Sequence, residues 1–451
     1  MTRQLHLNLF VHGRGHHETA WRHPDASPLA LTDISYYEDL ARRAEAACFD
    51  AIFFADALAL GEGVGHAAAG GLEPITILAA LARTTSKLGL IATASTTYTE
   101  PYNLARQFAS LDHISNGRVG WNIVTSWVTG AGPNFGYDRQ IEHADRYERA
   151  FEFIDVVSRL WDSWADDAVL DDRSRGVFAD TSRIAAINHH GNYHRVRGPL
   201  NIPRSPQGRP VFVQAGSSDT GRRFAATHAE AIFTAHLEKP AAIAFYSDVK
   251  ARAAALGRSS DQIVILPGIS ATLGSTEAEA FRTARELNEL SEPSVGLSRL
   301  SNRFGGHDFS HLALDQVLSV DDFPDPATVQ AAQSRAANIV SLVSRERPTL
   351  RGLLHSLAGA RGHFTTAGTP EQVADIMEDW FKSGAADGFN LMPPILPAQL
   401  DLFTVEVLPI LRKRGLFRED YEGRTLRDHF GLERPESSFF GTEAEGRAQA
   451  S

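Results

Sequence analysis

Short apolar runs recur along the chain, and most are followed by a segment in which apolar residues return every three or four positions. Runs of four to seven residues without polar alternation are typical of strands buried on both faces of a parallel sheet. Eight runs are predicted to be strands: residues 5–11, 51–54, 88–94, 119–124, 210–214, 231–234, 263–267 and 388–392. Eight strand–helix alternations favour a closed (β/α)₈ TIM barrel over an open doubly wound sheet.

The stretch 88–126 contains one complete unit of this pattern. Its helix is predicted to begin at Pro101, because Pro is tolerated in a first helical turn, and to end at Asn116 and Gly117, which readily adopt positive φ. The strand 119–124 follows and leads into Thr125 and Ser126. Active sites of barrels lie at the carboxyl ends of the strands, so we expect these hydroxyl groups to border a functional site.

Two stretches interrupt the alternation. Residues 165–205 lack a clear period and are predicted to form an insertion with hairpin character. Residues 291–368 contain Gly-Gly and several polar runs but no recognisable strand, which is typical of a functional lid or a mobile loop. Residues 1–432 are therefore predicted to be a single barrel with two insertions, and the polar residues 433–451 to be a loosely ordered tail.

Composition and charge restrict the class of protein. The chain has 451 residues and a net charge of −11, which makes a nucleic-acid-binding surface unexpected. Its single cysteine, Cys48, excludes an intramolecular disulfide and a thiolate metal cluster. The first residues lead directly into an apolar run without a signal-peptide pattern, and no apolar stretch has the ~18 residues of a membrane helix. We therefore expect a cytoplasmic protein that binds neither nucleic acid nor membrane.

Polar residues at predicted strand ends are candidates for ligand binding. The segment 215–218 (AGSS) lies between a strand and a helix, where free backbone N–H groups, two hydroxyls and the helix dipole could hold a phosphate. A capped loop without a ligand is the alternative. Asp56, Thr93 and Asn122 lie at or near other strand ends and could bind the edge of a heterocycle. Each could equally be a capping residue or part of an internal hydrogen-bond network.

The loop 12–24 holds four histidines, of which His16 and His17 could be acid/base groups or metal ligands. A metal-dependent hydrolase would need His and carboxylate ligands clustered near strand ends, whereas a histidine-rich loop alone is more often only a polar loop. No G-x-G-x-x-G sequence follows a strand, so no nicotinamide site of the Rossmann type is predicted.

Long stretches of the chain resemble the bacterial luciferase-like flavin monooxygenases, and most closely the branch with nitrilotriacetate monooxygenase component A and dibenzothiophene-sulfone monooxygenase. The resemblance spans most of the sequence. It is carried by GHHETAWRHP (15–24), FFADAL (53–58), ATASTTYTEPYNLARQFASLDHISNGRVGWNIVTS (92–126), NFG (134–136), EHADRYERAFEF (142–153), GPLNIPRSPQGRPVFVQAGSS (198–218), GAADGFNLMPPILP (384–397) and YEGRTLRDHFGL (421–432).

The resemblance implies a barrel that binds reduced FMN at its C-terminal face. Asp56 and Thr93 correspond to residues that contact the flavin. Ser218, His143 and Tyr147 correspond to residues that hold its phosphate tail. It further implies a two-component monooxygenase without a metal, in which a separate NAD(P)H:flavin reductase supplies FMNH₂. O₂ would react through a flavin C4a-(hydro)peroxide to oxidise a small organic substrate, with C–N or C–S cleavage among the possible outcomes.

The same resemblance suggests roles for other residues and a homo-oligomer, either a dimer or a tetramer. His16 is the candidate for proton transfer at the reacting centre, and residues 291–368 are the candidate lid. Relatives often carry a histidine near the position of Arg303, so Arg303, His307 or neither takes that role. Arg303 could favour an acidic substrate, although a surface salt bridge is the more common use of such a residue.

Three other functions compete with this one. A deazaflavin-dependent dehydrogenase could use the same barrel, and a cofactor-binding assay would distinguish it. A non-catalytic flavin-binding protein would show no turnover with oxygen and a reductase. A metal-dependent hydrolase would contain tightly bound metal and would lose activity with a chelator.

Overall fold

The computed structural model describes residues 3–66, 68–126, 128, 130–139, 141–329, 333–360 and 362–440. Its strands are β1 (His6–Val11), β2 (Ala51–Phe54), β3 (Gly89–Ser95), β4 (Val119–Val124), β5 (Val169–Asp172), β6 (Val177–Ala179), β7 (His189–His190), β8 (Arg195–Val196), β9 (Val211–Gln214), β10 (Ala231–Thr234), β11 (Val264–Leu273), β12 (Phe364–Gly368) and β13 (Gly388–Leu391).

Eight parallel strands close into a barrel, in the order β1, β2, β3, β4, β9, β10, β11 and β13. Closure is completed by β10 on β11, where Ala231 pairs with Val264, and by β13 on β1, where Gly388 pairs with His6. A side chain could not replace Gly388, since a Cβ there would lie 1.9 Å from the His6 carbonyl oxygen. All eight predicted strands and the predicted (β/α)₈ fold are confirmed.

Helices connect these strands and cover the outside of the barrel. They are α1 (Ile34–Ala46), α2 (Pro74–Thr84), α3 (Pro101–Ser115), α4 (His143–Trp161), α5 (Asp219–His228), α6 (Lys239–Ala255), α7 (Glu277–Glu289), α8 (Pro293–Arg303), α9 (Gln333–Glu346), α10 (Leu350–Ala360), α11 (Pro370–Lys382), α12 (Ala398–Leu402), α13 (Leu408–Lys413) and α14 (Leu426–His429). None of the helices in the described part of the chain is long and apolar enough to cross a membrane.

The ends of α3 follow the sequence prediction. Pro101 occupies its first turn, and Asn116 ends it with a φ of 59°. Gly117 follows with a φ of 85°, and its N–H donates to the Asp112 carbonyl oxygen at 2.8 Å. This left-handed turn satisfies a carbonyl at the helix end and returns the chain to the sheet as β4. It places Thr125 and Ser126 at the carboxyl end of the barrel.

The opposite end of the barrel is closed by the C-terminal segment. Leu426 on α14 lies against the starts of β3 and β4, where Cβ atoms at Gly89 and Gly120 would be 2.5 and 3.2 Å from its methyl groups. The Phe430 ring meets the His6 ring edge-on at 5.4 Å. Apolar side chains of α14 therefore pack inside the amino-terminal end, and any ligand must enter at the carboxyl end.

Residues 291–368 differ from their prediction. They contain α8, α9 and α10, and we call residues 293–360, which hold these helices, the helical insertion. They also contain the strand β12, which pairs in parallel with β11, with Phe364 opposite Ile269. The helical insertion has its own buried apolar cluster, which includes Leu300, Phe309 and Leu353. The expectation of an irregular segment without a strand was wrong, because Gly305 and Gly306 interrupt the pattern only locally, between helices.

Two peripheral segments complete the chain. Residues 165–205 contain two hairpins, β5–β6 and β7–β8, as the predicted hairpin character indicates. The tail was expected to be loosely ordered, but residues 433–440 are held on the barrel. Arg434 pairs with Asp166 at 2.6 Å, and the Ser438 N–H donates to the Asp162 carboxylate at 2.9 Å. Residues 441–451 lie outside the described residues.

Candidate active site

Asp56 and Thr93 lie together at the carboxyl ends of β2 and β3. Both line a cavity of about 60 Å³, together with Leu58, Ser95, Val124, Ser126, Val128 and Ala131. Thr93 is buried; its hydroxyl donates to the Phe54 carbonyl oxygen at 2.9 Å and accepts from the Asn122 amide at 2.8 Å. Asp56 is exposed to the mouth and accepts from the Ala57 N–H at 2.8 Å. The predicted pair therefore shares one pocket.

Buried amide oxygens without partners lie beside this pocket. Asn122 on β4 and Gln214 on β9 are each 3% exposed, and within the described residues no donor reaches Asn122 Oδ1 or Gln214 Oε1. Leaving such an acceptor unsatisfied costs about 1–3 kcal/mol. These oxygens fit a bound heterocycle that carries N–H groups. Asn122 was predicted from its place on the strand, and the polar end of β9 offered the same signal for Gln214.

The segment 215–218 meets α4 at the next strand end. Ser218 is the N-cap of α5, and its hydroxyl accepts from the Gly221 N–H at 3.2 Å. A Cβ at Gly216 would lie 2.8 Å from the Tyr147 hydroxyl and 2.4 Å from Gln214 Nε2. A side chain there would displace the amide or the phenol, so both pack directly on the loop. The Ser218 hydroxyl also shares a hydrogen bond with the Tyr147 phenol, which places two hydroxyl groups beside the loop, as a phosphate-binding loop requires.

The protonation states of Tyr147 and His143 are set mainly by burial. Burial raises the pKa of Tyr147, and the hydrogen bond with Ser218 offsets this only in part, so the phenol remains a donor at neutral pH. The half-buried His143 ring lies 4.9 Å from the Tyr147 ring. Burial, followed by the Arg146 charge, lowers the pKa of His143. The predicted trio of His143, Tyr147 and Ser218 is therefore assembled around one loop.

Arg146 is a residue of this site that the sequence did not reveal. Its side chain is 2% exposed, and burial lowers its pKa. Nη1 donates to the Ser126 carbonyl oxygen at 2.6 Å, while Nε has no partner in the described part of the chain. Ser126 also lines the Asp56 pocket. Arg146 therefore connects the two predicted halves of the site, and its positive charge acts on Tyr147, whose hydroxyl packs against the loop 215–218.

A larger cavity extends from this loop toward the helical insertion. It has a volume of about 540 Å³ and is lined by Ser217, Ser218, Asp219, Arg222, Ala235, His236, Ala241, Ala244, Phe245, Pro326, Ala327, Ala337 and Asn338. The Asn338 amide on α9 donates to the Ala235 carbonyl oxygen at 3.3 Å. The helical insertion thus forms one wall of a chamber that opens on the loop.

His16 lies at the barrel mouth and is fully buried. Its Nε2 is 2.9 Å from the Phe10 carbonyl oxygen at the end of β1, and its ring is 4.6 Å from the Phe10 ring. His17 is turned away, because its Nε2 faces Asn288 Oδ1 at 3.1 Å. Within the described residues, no group of three or more His, Cys, Asp and Glu side chains could hold a metal ion.

The two candidates in the helical insertion are placed differently. Arg303 is 8% exposed at the end of α8, whereas His307 is exposed and its ring packs on Phe309 at 4.7 Å. No carboxylate within the described residues forms an ion pair with Arg303. The expectation of a surface salt bridge for Arg303 was therefore wrong.

The sequence of residues 10–387 matches the family model of luciferase-like monooxygenases. The chain belongs to this family. It is 46% identical to N-acetyl-S-(2-succino)cysteine monooxygenase of Bacillus subtilis, over 96% of this chain and 98% of that protein. It is also 46% identical to nitrilotriacetate monooxygenase component A of Aminobacter aminovorans, over 97% and 98% of the two chains. The predicted family is confirmed.

Its fold is also that of a solved family structure. Riboflavin lyase (RcaE), determined with modified FMN and the substrate riboflavin, is 33% identical to this luciferase-like monooxygenase. The match covers 96% of this chain and 97% of the lyase, with a TM-score of 0.86. The chain is therefore a flavin-dependent enzyme of the monooxygenase class, and the donors and acceptors at its strand ends fit a flavin.

Proposed function

We propose that this protein is the oxygenase component of a two-component monooxygenase, which uses FMNH₂ and O₂ to oxidise a small organic molecule. The observation that carries the proposal is the series of polar contacts that runs from the pocket of Thr93 and Ser126 through Arg146 to Tyr147 and Ser218. It offers hydrogen-bond partners for a heterocycle at one end and a positive charge with hydroxyl donors for a phosphate at the other.

The two ends of this series of residues bind different parts of FMN. Asp56 and Thr93 border the ring of the flavin, while the oxygens of Asn122 and Gln214 accept from N–H groups nearby. Tyr147, Ser218 and the neutral His143 hold the phosphate, and Arg146 balances its charge. When bound, reduced FMN supplies the electrons that activate O₂, and the protein supplies binding, orientation and shielding from water.

Three further roles complete the proposal: the source of FMNH₂, the lid and the proton-transfer group. A separate NAD(P)H:flavin reductase supplies FMNH₂, in line with the absence of a dinucleotide motif in the sequence. The helical insertion acts as a lid that excludes water from the reacting centre. His16, buried at the mouth beside Phe10, holds or transfers a proton there. Substitution of His16 by Ala is expected to lower turnover by about 100-fold and to spare flavin binding.

The experiment is anaerobic titration of the full chain with FMNH₂, followed by rapid mixing with aerated buffer. We expect saturable binding and a long-lived absorbance intermediate between reduced and oxidised flavin. Binding of reduced deazaflavin in place of FMNH₂ would instead support the dehydrogenase. Binding of neither cofactor would contradict the proposal. Full activity of His16→Ala on the true substrate would remove His16 from the mechanism but leave the rest.

A further inference from the structure

Arg303 is a buried arginine that forms no ion pair with the described residues. It lies at the end of α8 with 8% of its surface exposed, and its Nη1 has no hydrogen-bond partner within the described residues. Burying an ionised guanidinium without an anion is unfavourable, so proteins rarely retain one without a purpose.

A second arginine connects this position to the barrel mouth. Arg335 on α9 brings Nη2 to 3.4 Å from His363 Nε2. The His363 ring stacks on Phe233 at 4.8 Å, and its Nδ1 lies 3.2 Å from the Thr234 carbonyl oxygen at the end of β10. Phe233 in turn meets the ring of Phe10 at 5.2 Å. Arg335 thus lies over the same end of the barrel as His16.

The charges that act on Arg303 are mainly positive. Glu18, whose negative charge also acts on Arg303, forms an ion pair with Arg299. Burial, and then repulsion from Arg335 and Arg299, lower the pKa of Arg303 to about 9, and Glu18 offsets this only in part. Burial also lowers the pKa of Arg335. An anion brought in by a ligand would relieve this repulsion.

We propose that Arg303 and Arg335 bind a carboxylate of the substrate, so that the substrate is a small organic acid. This inference rests on the proposed function, because it places the acid at the mouth of the proposed flavin site. A guanidinium presents parallel N–H groups that match the two oxygens of a carboxylate. The helical insertion would then select the substrate by charge as well as cover it.

Binding of tricarballylate, a simple tricarboxylic acid, tests the assignment. Its trimethyl ester is the neutral control, and both are titrated calorimetrically into the full chain with and without reduced FMN at constant ionic strength. The acid is expected to bind the wild type with an affinity at least about 10-fold higher than that of the ester. Arg303→Gln is expected to lower the affinity for the acid by about 10- to 100-fold, and Arg303→Lys is expected to lower it by less.

The Arg303→Met variant distinguishes a binding role of Arg303 from a structural role. It removes an unneutralised buried charge, so we expect its melting temperature to equal or exceed that of the wild type while acid binding is lost. A structural arginine would give the opposite change in melting temperature. Arg351→Gln is the matched control, since Arg351 lies exposed in α10 and pairs with Asp315 at 2.9 Å. It should bind the acid as the wild type does.

Several results would overturn the inference. The inference fails if acid and ester bind equally well, or if Arg303→Gln binds the acid as tightly as the wild type does. It also fails if inorganic phosphate competes for the site as strongly as the acid, or if the acid does not bind up to about 10 mM. Reduced FMN, titrated in the same samples, distinguishes the two proposals. If FMNH₂ binds and the acid does not, only the carboxylate site fails. If FMNH₂ does not bind, the proposed function fails as well.

Discussion

The barrel wall and the helical insertion differ in how their buried charged side chains are compensated. The strands β3 and β4 of the wall are buried along almost their whole length, and a charge cluster beside the wall is closely paired. Glu230, for example, accepts from Arg427, Arg209 and the Phe212 N–H at 2.7 to 3.1 Å. The helical insertion also has an apolar cluster, but Arg303 within it forms no ion pair with the described residues. If Arg303 binds a substrate as proposed, the helical insertion gives up stability for binding while the wall does not.

The largest expected effect follows from breaking a charge cluster of the wall. Glu230→Gln would leave Arg209 and Arg427 facing each other without their carboxylate, and is expected to lower the free energy of unfolding by about 3–5 kcal/mol. Denaturant unfolding of Glu230→Gln beside the exposed control Glu371→Gln measures this. A loss no greater than in the control would show that the cluster contributes little.

The same carboxylate predicts a pH dependence. Burial alone would raise the pKa of Glu230, but Arg209, Arg427 and the Phe212 N–H lower it from 4.5 to about 2. The folded state therefore gains stability from this group above pH ~4.5 and loses it as the pH falls through about 2. The stability difference between wild type and Glu230→Gln should shrink across that range. A constant difference would contradict the assignment.

A matched pair of leucines compares the two regions directly. Leu90 on β3 and Leu353 on α10 are both fully buried, and replacing either by Ala is expected to cost about 2 kcal/mol or more locally. Leu90→Ala should lower the unfolding midpoint of the whole chain. Leu353→Ala should mainly speed amide hydrogen exchange in α8, α9 and α10. Uniformly faster exchange in both variants would show that the helical insertion has no independent stability.

Arg146→Gln tests the charged end of the proposed flavin site. It removes a buried positive charge that acts on Tyr147, so FMNH₂ affinity should fall by about 1.5–3 kcal/mol. Affinity for riboflavin, which lacks the phosphate, should change less. Anaerobic fluorescence titration with both flavins measures the two losses. Equal losses would place Arg146 away from the phosphate.

Ser218→Ala is expected to have the smallest effect on binding. One neutral hydrogen bond to the phosphate is worth about 0.5–1.5 kcal/mol of FMNH₂ affinity, and more if the bond is charge-assisted. Because Ser218 also caps α5, Thr276→Ala is the matched control: Thr276 caps α7 by accepting from the Glu279 N–H at 3.2 Å. Both variants should lose some stability. Unchanged affinity in Ser218→Ala would remove the hydroxyl from the site.

The barrel could be predicted because its signals are local. Each strand is a continuous apolar run, and features such as Pro101 and Asn116 mark the helix ends. The helical insertion could not, because the apolar faces of its helices pack on one another rather than on the barrel. The strand β12 is partly exposed along its length, so it lacks the buried run that identified the others.

Most residues of the candidate site could also be predicted from the sequence, but Arg146 could not. Asp56, Thr93, Asn122 and Ser218 were found because a polar residue after a buried strand has a known place in a barrel. Arg146 stands among charged residues of α4 and looks like a solvent-exposed side chain in the sequence. Its burial depends on Ser126, 20 positions earlier, whose carbonyl oxygen it reaches only in the folded chain.

The central claim is that one polar surface at the barrel mouth binds both the ring and the phosphate of reduced FMN. Anaerobic titration of the wild-type chain with FMNH₂ and with reduced riboflavin tests it most directly, because the two ligands differ only in the phosphate. Tighter binding of FMNH₂ by about 10- to 100-fold is predicted, with the difference largely lost in Arg146→Gln. Equal affinities, or no binding of either flavin, would contradict the account.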